Sequence, residues 1–513
     1  MHVITDQDLL DSVAADASQM PGGHAAGLVV ACAEADVAAL LRSGARVLPI
    51  GAQSSVTGGA TPMGEVVLSL ARLDRILDIG PMHARVQAGV TLSALDAALA
   101  ARGLRYPPAP TFHGATIGGT VATNAAGAAT FKYGTTRDWV QAMTVVLPSG
   151  DVLKVARGEH RASGGRLLVP TSSGAIEVRV PRYRLPHVPK RSAGYHAAPD
   201  MDLIDLFIGA EGTLGVVTEI TLRVVPAPAI CLALVPCPSF ATALDLVEAL
   251  RNAARDTWHS GNPQGLDISA IEQMDARSIA ILREDAAEKA HGLTIPASAR
   301  TLLLVQIELP PSTTADEAYA ELGSASDAAA RGPLVRFSEL LEDRGLLDDV
   351  QVAVPGERHR AAQLIALREA VPAGVNHRVA IARRDDARIS KTAADMIVPF
   401  ERFGEMMRLY DERLGSRGLD YAIWGHSSDG NVHPNVLPRS FADVEAGREA
   451  ILELGRDAVR LGGSPLAEHG VGRNPIKQQL LSLLYGREGV ADMVAVKRAL
   501  DPGWRLAPGV IFE

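Results

Sequence analysis

Thirteen of the sixteen residues from 115 to 130, ATIGGTVATNAAGAAT, are glycine, alanine or threonine. Some sixty residues earlier, 51–62 reads GAQSSVTGGATP, a second tract of small residues directly after the strand-like RVLPI of 46–50. Such tracts constrain a fold strongly, because main-chain N–H groups approach an anion or another chain segment only where no side chain intervenes. Ser54, Ser55 and Thr57 add hydroxyl donors. Neither tract is a Walker A sequence, since no GK[ST] follows, and neither is a GxGxxG dinucleotide fingerprint. Taken singly, each also fits tight turns and a close-packed helix. Glycine makes up 48 of the 513 residues, above the usual ~7%, so special backbone positions are a general property of this chain.

The remaining composition is that of a folded protein with a sizeable core, 47% hydrophobic and 21% charged, which argues against disorder. The length allows two to three domains. A net charge of −9 without any basic run gives no positive field for nucleic acid or an anionic membrane. Cys32, Cys231 and Cys237 are odd in number and form no CxxC pair, which points to a reducing compartment. The amino terminus, MHVITDQDLLDSVAADASQM, is acidic where a signal peptide is basic and then apolar, so a cytoplasmic location is expected. Residues 224–244 carry no charge and are long enough to span a bilayer. Pro226, Pro228, Pro236 and Pro238 would break such a helix, so the stretch reads as a strand end, a junction and another strand, and no transmembrane segment is expected.

The hydrophobic pattern predicts mostly helix over the first ~35 residues, continuing through 36–43. Strands follow at 46–50, 66–70 and 84–88, a helix at 92–101, and a hairpin at 140–147 and 152–155 around Pro-Ser-Gly. A long alternating strand ends near Pro226. From 229 onward, strands at 230–236, 301–309, 350–354 and 396–398 alternate with amphipathic helices at 240–254, 358–370 and 400–414, an α+β pattern. One more helix is expected at 476–485.

A second chemical cluster is GHSSDGNVHPN, 425–435, in which a turn-forming Asp-Gly-Asn separates His426 from His433. Downstream, AEHGVG sets Glu468 beside His469 in a glycine-bounded loop. Two imidazoles and a carboxylate form a borderline donor set suited to Zn, Mn or Fe, with positions left open for substrate. Spacing alone also fits hydrogen-bonded loop histidines.

In order and spacing, Gly51–Gly59, then Ala115–Gly127 with Tyr133-Gly134, then Glu211–Thr218 (EGTLGVVT) resemble the FAD-binding domain of the vanillyl-alcohol oxidase/PCMH flavoprotein superfamily. The resemblance covers roughly residues 25–227. It implies an α+β fold: a two-part FAD-binding PCMH-type domain over 1–227 with a helical lead-in at 1–25, then an α+β substrate (cap) domain with antiparallel sheet over 228–460. A carboxyl-terminal segment, 461–513, would pack back toward the flavin. The FAD-binding residues implied are Pro49, Ile50, Gly51, Ala52, Gln53, Ser54, Ser55 and Gly58 in the first motif. The second supplies Gly118, Gly119, Thr123, Asn124, Ala126, Gly127 and Tyr133, and the third Glu211, Gly212, Gly215 and Val217. Members that bind flavin covalently through this domain carry a histidine in the first loop; here Gln53 and Ser54 stand there, which implies non-covalent FAD. The family's Pro-Asp-Pro before the second loop reads Pro108-Ala109-Pro110.

The later pair of motifs resembles GHxGDGNxH and EHGxG of the superfamily's D-2-hydroxyacid dehydrogenases, including members oxidising D-lactate, D-2-hydroxyglutarate and glycolate, over residues 228–513. By that resemblance His426, His433 and Glu468 ligate a divalent metal (Zn, Mn or Fe) and His469 is the general base. Arg368 and Lys391 would hold the substrate carboxylate, Arg368 through a bidentate fork; as isolated charges each also reads as a solvated surface residue. Asn435 would orient the substrate or the metal shell. Ser428 stands where the family usually has glycine, a change in backbone freedom rather than in a ligand. The implied reaction is FAD-dependent oxidation of a D-2-hydroxy acid, D-lactate-like, to the 2-oxo acid, by metal-assisted proton abstraction and hydride transfer to flavin N5. The electron acceptor stays open among oxygen, quinone, cytochrome and electron-transfer flavoprotein, and a homodimer is compatible. An alkylglycerone-phosphate synthase-like transferase or an aromatic-alcohol oxidase would keep the fold but lack the His426/His433/Glu468 set. An electron-transfer flavin subunit of a larger dehydrogenase is the third alternative.

Overall fold

The computed structural model describes residues 2–108, 110–324 and 331–512, so Ala109 of the Pro108-Ala109-Pro110 segment lies outside the described residues. Two units are distinguished. One contains the described residues of 1–127, 133–226 and 464–513, the other those of 128–132 and 227–463.

In the first unit, short apolar runs separated by loops form two larger sheets and two two-stranded ones. Gly27–Val30, Val66–Ser69 and Val47–Ile50 make a three-stranded parallel sheet with Val66–Ser69 in the middle. The expected helix over the first ~35 residues is therefore corrected. The lead-in contains only the short helix Gln7–Ser12, capped by Asp6, and residues 27–30 are a strand. The run GLVV is apolar and ends in two β-branched valines, and its partner strand decides its conformation. A second sheet is five-stranded and antiparallel, with Val216–Arg223 at its centre between His83–Gln87 and Val140–Val146. The expected hairpin Val140–Val146/Val152–Ala156 forms its edge. The carboxyl-terminal residues belong to this unit: Val47 N–H donates to Arg505 O and Ala507 N–H to Val47 O, both at 2.8 Å. Buried Lys497, on the helix Pro475–Leu500, satisfies its three donors with Thr213 O, Leu506 O and the Asp501 carboxylate at 2.6–2.7 Å.

In the second unit the uncharged run becomes the strand Ala229–Cys237, next to Thr301–Leu309 in an eight-stranded antiparallel sheet. Side chains alternate between faces with period two. Cys231, Ala233 and Val235 enter one core with Leu246 and Leu250 of the helix Phe240–Ser260. Leu232 and Leu234 enter another with Leu364 and Leu367 of the helix Arg358–Asp385. Both faces are covered, which explains why the run lacks the polar alternation of a half-exposed strand. The helix expected at 358–370 continues to Asp385 through Pro372. Two strands not anticipated, Ile268–Met274 and Asn431–Val436, complete the centre of the sheet beside Tyr421–His426.

Candidate active site

In the first unit the three small-residue motifs converge. A Cβ on Gly51 would stand 2.2 Å from Thr116 Oγ1, one on Gly118 2.7 Å from Ala88 Cβ, and one on Gly212 2.8 Å from Pro49 Cγ. Real Cβ atoms do not approach so closely, so these contacts require glycine. The first motif turns out of the strand Val47–Ile50, and its Ala52, Ser54 and Gly58 lie in the loop that follows. Gln53 has φ 49° and donates its side-chain amide to Val13 O and Ala60 O at 3.0 and 2.8 Å, closing its own loop. Ser55 Oγ lies 3.0 Å from Thr57 Oγ1.

The second motif forms the short helix Ile117–Thr123, capped by Thr116 Oγ1 and ended by Asn124 in the left-handed region at φ 49°. Gly119 N–H donates to that cap, and Thr123 Oγ1 donates back to Gly119 O at 3.1 Å. Asn124 Oδ1 accepts from Arg137 N–H at 2.9 Å, fixing the exit of the chain toward the buried Ala126. Gly127 and Tyr133 flank the excursion of 128–132 into the other unit. The Tyr133 ring is covered by the Arg105 guanidinium 4.8 Å away. The third motif is joined to the second by Gly209 N–H to Val121 O and Glu211 N–H to Ala122 O, at 2.9 and 2.7 Å. Gly215 and Val217 lead from it into the central strand, against Val145. A backbone cradle built without side chains is what a pyrophosphate-bearing cofactor requires, so these residues fit FAD.

The same unit holds Glu468 and His469. Glu468 Oε2 is 2.7 Å from Nζ of fully buried Lys190, and its Oε1 is 3.6 Å from His469 Nε2. Lys190, with no motif around it, offered no sequence signal for this contact.

In the second unit, Tyr421–His426 and Asn431–Val436 form a hairpin around the turn Ser427–Asp429, with Gly430 at φ 76°. The histidines sit on the two strands with ring centroids 5.5 Å apart and planes at 87°. Antiparallel register puts Glu272 directly opposite His426, and its Oε1 lies 3.1 Å from His426 Nδ1. Glu272 Oε2 accepts from Arg368 Nε and Nη2 at 3.2 and 3.0 Å. Burial alone would raise the Glu272 pKa, but the charges of Arg368 and His426 outweigh it and hold the carboxyl well below its ordinary value. His433 Nδ1 lies 3.4 Å from Asp395 Oδ1, which also accepts from Asn431 Nδ2 at 3.2 Å. Two neighbouring imidazoles beside carboxylates are common donors to a divalent metal. The pair therefore fits a divalent cation.

Asn435 donates Nδ2 to His433 O at 2.9 Å, while its buried Oδ1 has no hydrogen-bond partner among the described residues. Arg368 is buried, with one edge of its guanidinium committed to Glu272. Lys391 is exposed and precedes the strand Thr392–Ala393, whose Ala393 pairs with Asn435. Ser428, the departure from glycine, donates nothing to a ligand set: its Oγ accepts from Ile271 N–H at 3.3 Å. Glu272 and Asp395 were missed in the sequence. A glutamate inside the apolar run ISAIEQM and the aspartate of DMIVP were the available signals.

Comparisons with known proteins identify the family. Residues 25–156 match the family described as FAD binding domain, and residues 227–511 match FAD linked oxidases, C-terminal domain. The chain is 31% identical over 476 residues to a D-2-hydroxyglutarate dehydrogenase of Xanthomonas citri pv. viticola, covering 91% of this chain and 84% of that protein. It is 29% identical to glycolate oxidase subunit GlcD of Bacillus subtilis over 91% of this chain and 83% of the relative. Against a D-lactate dehydrogenase of Anaerostipes hadrus it is 28% identical, covering 91% and 84% of the two chains. Among solved structures, an alkyldihydroxyacetonephosphate synthase aligns with a TM-score of 0.56 over 95% of this chain and 76% of that one, at 15% identity, a likeness of fold alone. No helix among the described residues is long and apolar enough to cross a membrane. With an FAD-binding domain followed by the matching carboxyl-terminal domain, and a relative 31% identical over most of both chains, this chain belongs to the FAD-linked oxidase family of oxidoreductases.

Proposed function

We propose that the protein oxidises a D-2-hydroxy acid, D-lactate-like, to the 2-oxo acid with non-covalently bound FAD and a divalent metal held by His426, His433 and Glu468. The observation that carries this reading is the buried pair His426 and His433, each with Nδ1 against a carboxylate. The names of the three relatives, all concerned with 2-hydroxy acids, support the substrate class. When bound, FAD accepts the α-hydride and a divalent metal acidifies the α-hydroxyl.

The chain's own residues do the rest. Arg368 and Lys391 bind the substrate carboxylate, the guanidinium offering a planar fork for it. Asn435 orients the substrate with its buried Oδ1. His469, 35% exposed at its side chain, takes the hydroxyl proton as the α-hydrogen leaves with its electron pair. Lys190 holds one oxygen of Glu468, and Glu272 and Asp395 set the orientation of the two imidazoles.

The test is anaerobic addition of D- and L-2-hydroxy acids to the yellow protein, with and without chelator, following loss of flavin absorbance. Bleaching by D-acids that chelator suppresses is expected. Activity on L-acids only, untouched by chelator, would overturn the reading. His469→Ala should keep FAD and lose ~10²–10⁴-fold in the rate of flavin reduction. An equally fast variant would remove the base assignment.

A further inference from the structure

Glu211 opens the third flavin motif, yet its carboxylate faces the loop that follows His469. Its backbone is left-handed at φ 49°, a conformation that a non-glycine residue keeps only where its surroundings impose it. Oε1 accepts the N–H of Val471 and Oε2 the N–H of Gly472, both at 2.8 Å. On either side, Gly470 N–H donates to Ser192 Oγ at 3.1 Å and Arg473 N–H to Thr57 O at 3.0 Å. Four successive N–H groups after His469 are thus tied down within the flavin-binding unit, two of them by one carboxylate. Glycines make the approach possible. A Cβ on Gly470 would lie 3.0 Å from Glu211 Cδ, and one on Gly59 of the first motif 3.4 Å from Oε2.

We propose that Glu211 is a positioning residue rather than a flavin contact: its carboxylate clasps the 471–472 backbone and holds His469 in register with the flavin motifs. The inference rests on the reading of His469 as the base. A carboxylate suits the task because it offers an acceptor oxygen to each of two neighbouring N–H donors. A glutamine turns an NH₂ group against one of them, which breaks a charge-assisted bond and opposes donor to donor.

The experiment uses the full-length, FAD-loaded protein at pH 8, above the Glu211 pKa of about 7, so that the carboxyl is ionised. Amide hydrogen exchange over 469–473 is measured without substrate, and anaerobic flavin reduction by D-lactate or D-2-hydroxyglutarate is measured in parallel. Glu211→Gln should speed exchange at Val471 and Gly472 by about tenfold or more and slow flavin reduction by a similar factor, with the flavin spectrum and FAD affinity unchanged. Gly470→Ala should reproduce this from the other side by driving a Cβ against the Glu211 carboxyl, and it carries the comparison if Glu211→Gln does not fold. Unchanged exchange in the variants, or weakened FAD binding as the only effect, would overturn the clasp. Faster exchange at 471–472 in a protein whose wild-type flavin no hydroxy acid bleaches would uphold the clasp and remove the proposed reaction instead.

Discussion

At Gly51, Gly118 and Gly212 the flavin-binding unit brings chain segments together by leaving side chains out, whereas the other unit packs charged side chains around its histidine hairpin. Glu272, Arg368, His426, His433 and Asp395 are all buried there. The first arrangement presents main-chain dipoles and tolerates little added volume. The second is made of polar and ionic groups that depend on one another, the Glu272 carboxylate above all being compensated by Arg368. A backbone cradle is therefore vulnerable to added atoms, and a charge cluster to removed ones.

The comparison breaks most readily at Glu272. Glu272→Ala would strand Arg368 and His426 in a buried position. The expected loss is about 3–5 kcal/mol of unfolding free energy, read by denaturant titration of the full chain, with flavin absorbance retained. A loss under ~1 kcal/mol would show that the cluster is not held by its charges.

Glu211 sharpens the contrast through pH. Burial raises its pKa from 4.5 to about 7, and the N–H groups of Val471 and Gly472 and the charge of Lys477 offset only part of this. Because the folded chain binds this proton more tightly than the unfolded chain, the contribution is full below about 4.5 and is lost as pH rises through about 7. The loss should reach up to about 3 kcal/mol in thermal or chemical unfolding across that window, and Glu211→Gln should flatten it. Glu272 behaves oppositely, its carboxyl being held ionised by Arg368 and His426.

The smallest effect is expected at Gly118. A Cβ there meets Ala88 Cβ at 2.7 Å and Ala88 O at 2.9 Å, so Gly118→Ala should cost about 1–3 kcal/mol and weaken FAD binding, measured by fluorescence titration of the apoprotein. Unaltered affinity would mean that the cradle has slack.

Much of the flavin-binding unit was legible along the chain, because small-residue tracts and the strands beside them are local patterns. The strands at 47–50, 66–69 and 83–87 and the edge hairpin appear close to where alternation puts them. The amino-terminal strand Gly27–Val30 was misread as helix because a four-residue apolar run has no period of its own, and its parallel partner lies some forty residues away. The helix Arg358–Asp385 runs past its expected end at 370 and through Pro372, because packing against the sheet carries it on.

Sequence by itself determined the family and singled out the small-residue motifs and the two histidines of the hairpin, since each motif depends on residues only a few positions apart. Only the tertiary structure decided what stands behind them. Glu272 faces His426 across 154 residues of chain by antiparallel register, Arg368 reaches Glu272 from a separate helix, and Glu211 meets the loop after His469 from 260 residues away. Hydrogen bonds and ion pairs act over about 3 Å in space whatever the distance along the chain, so the groups that orient a site become visible only when the sheet register and the loop packing are known.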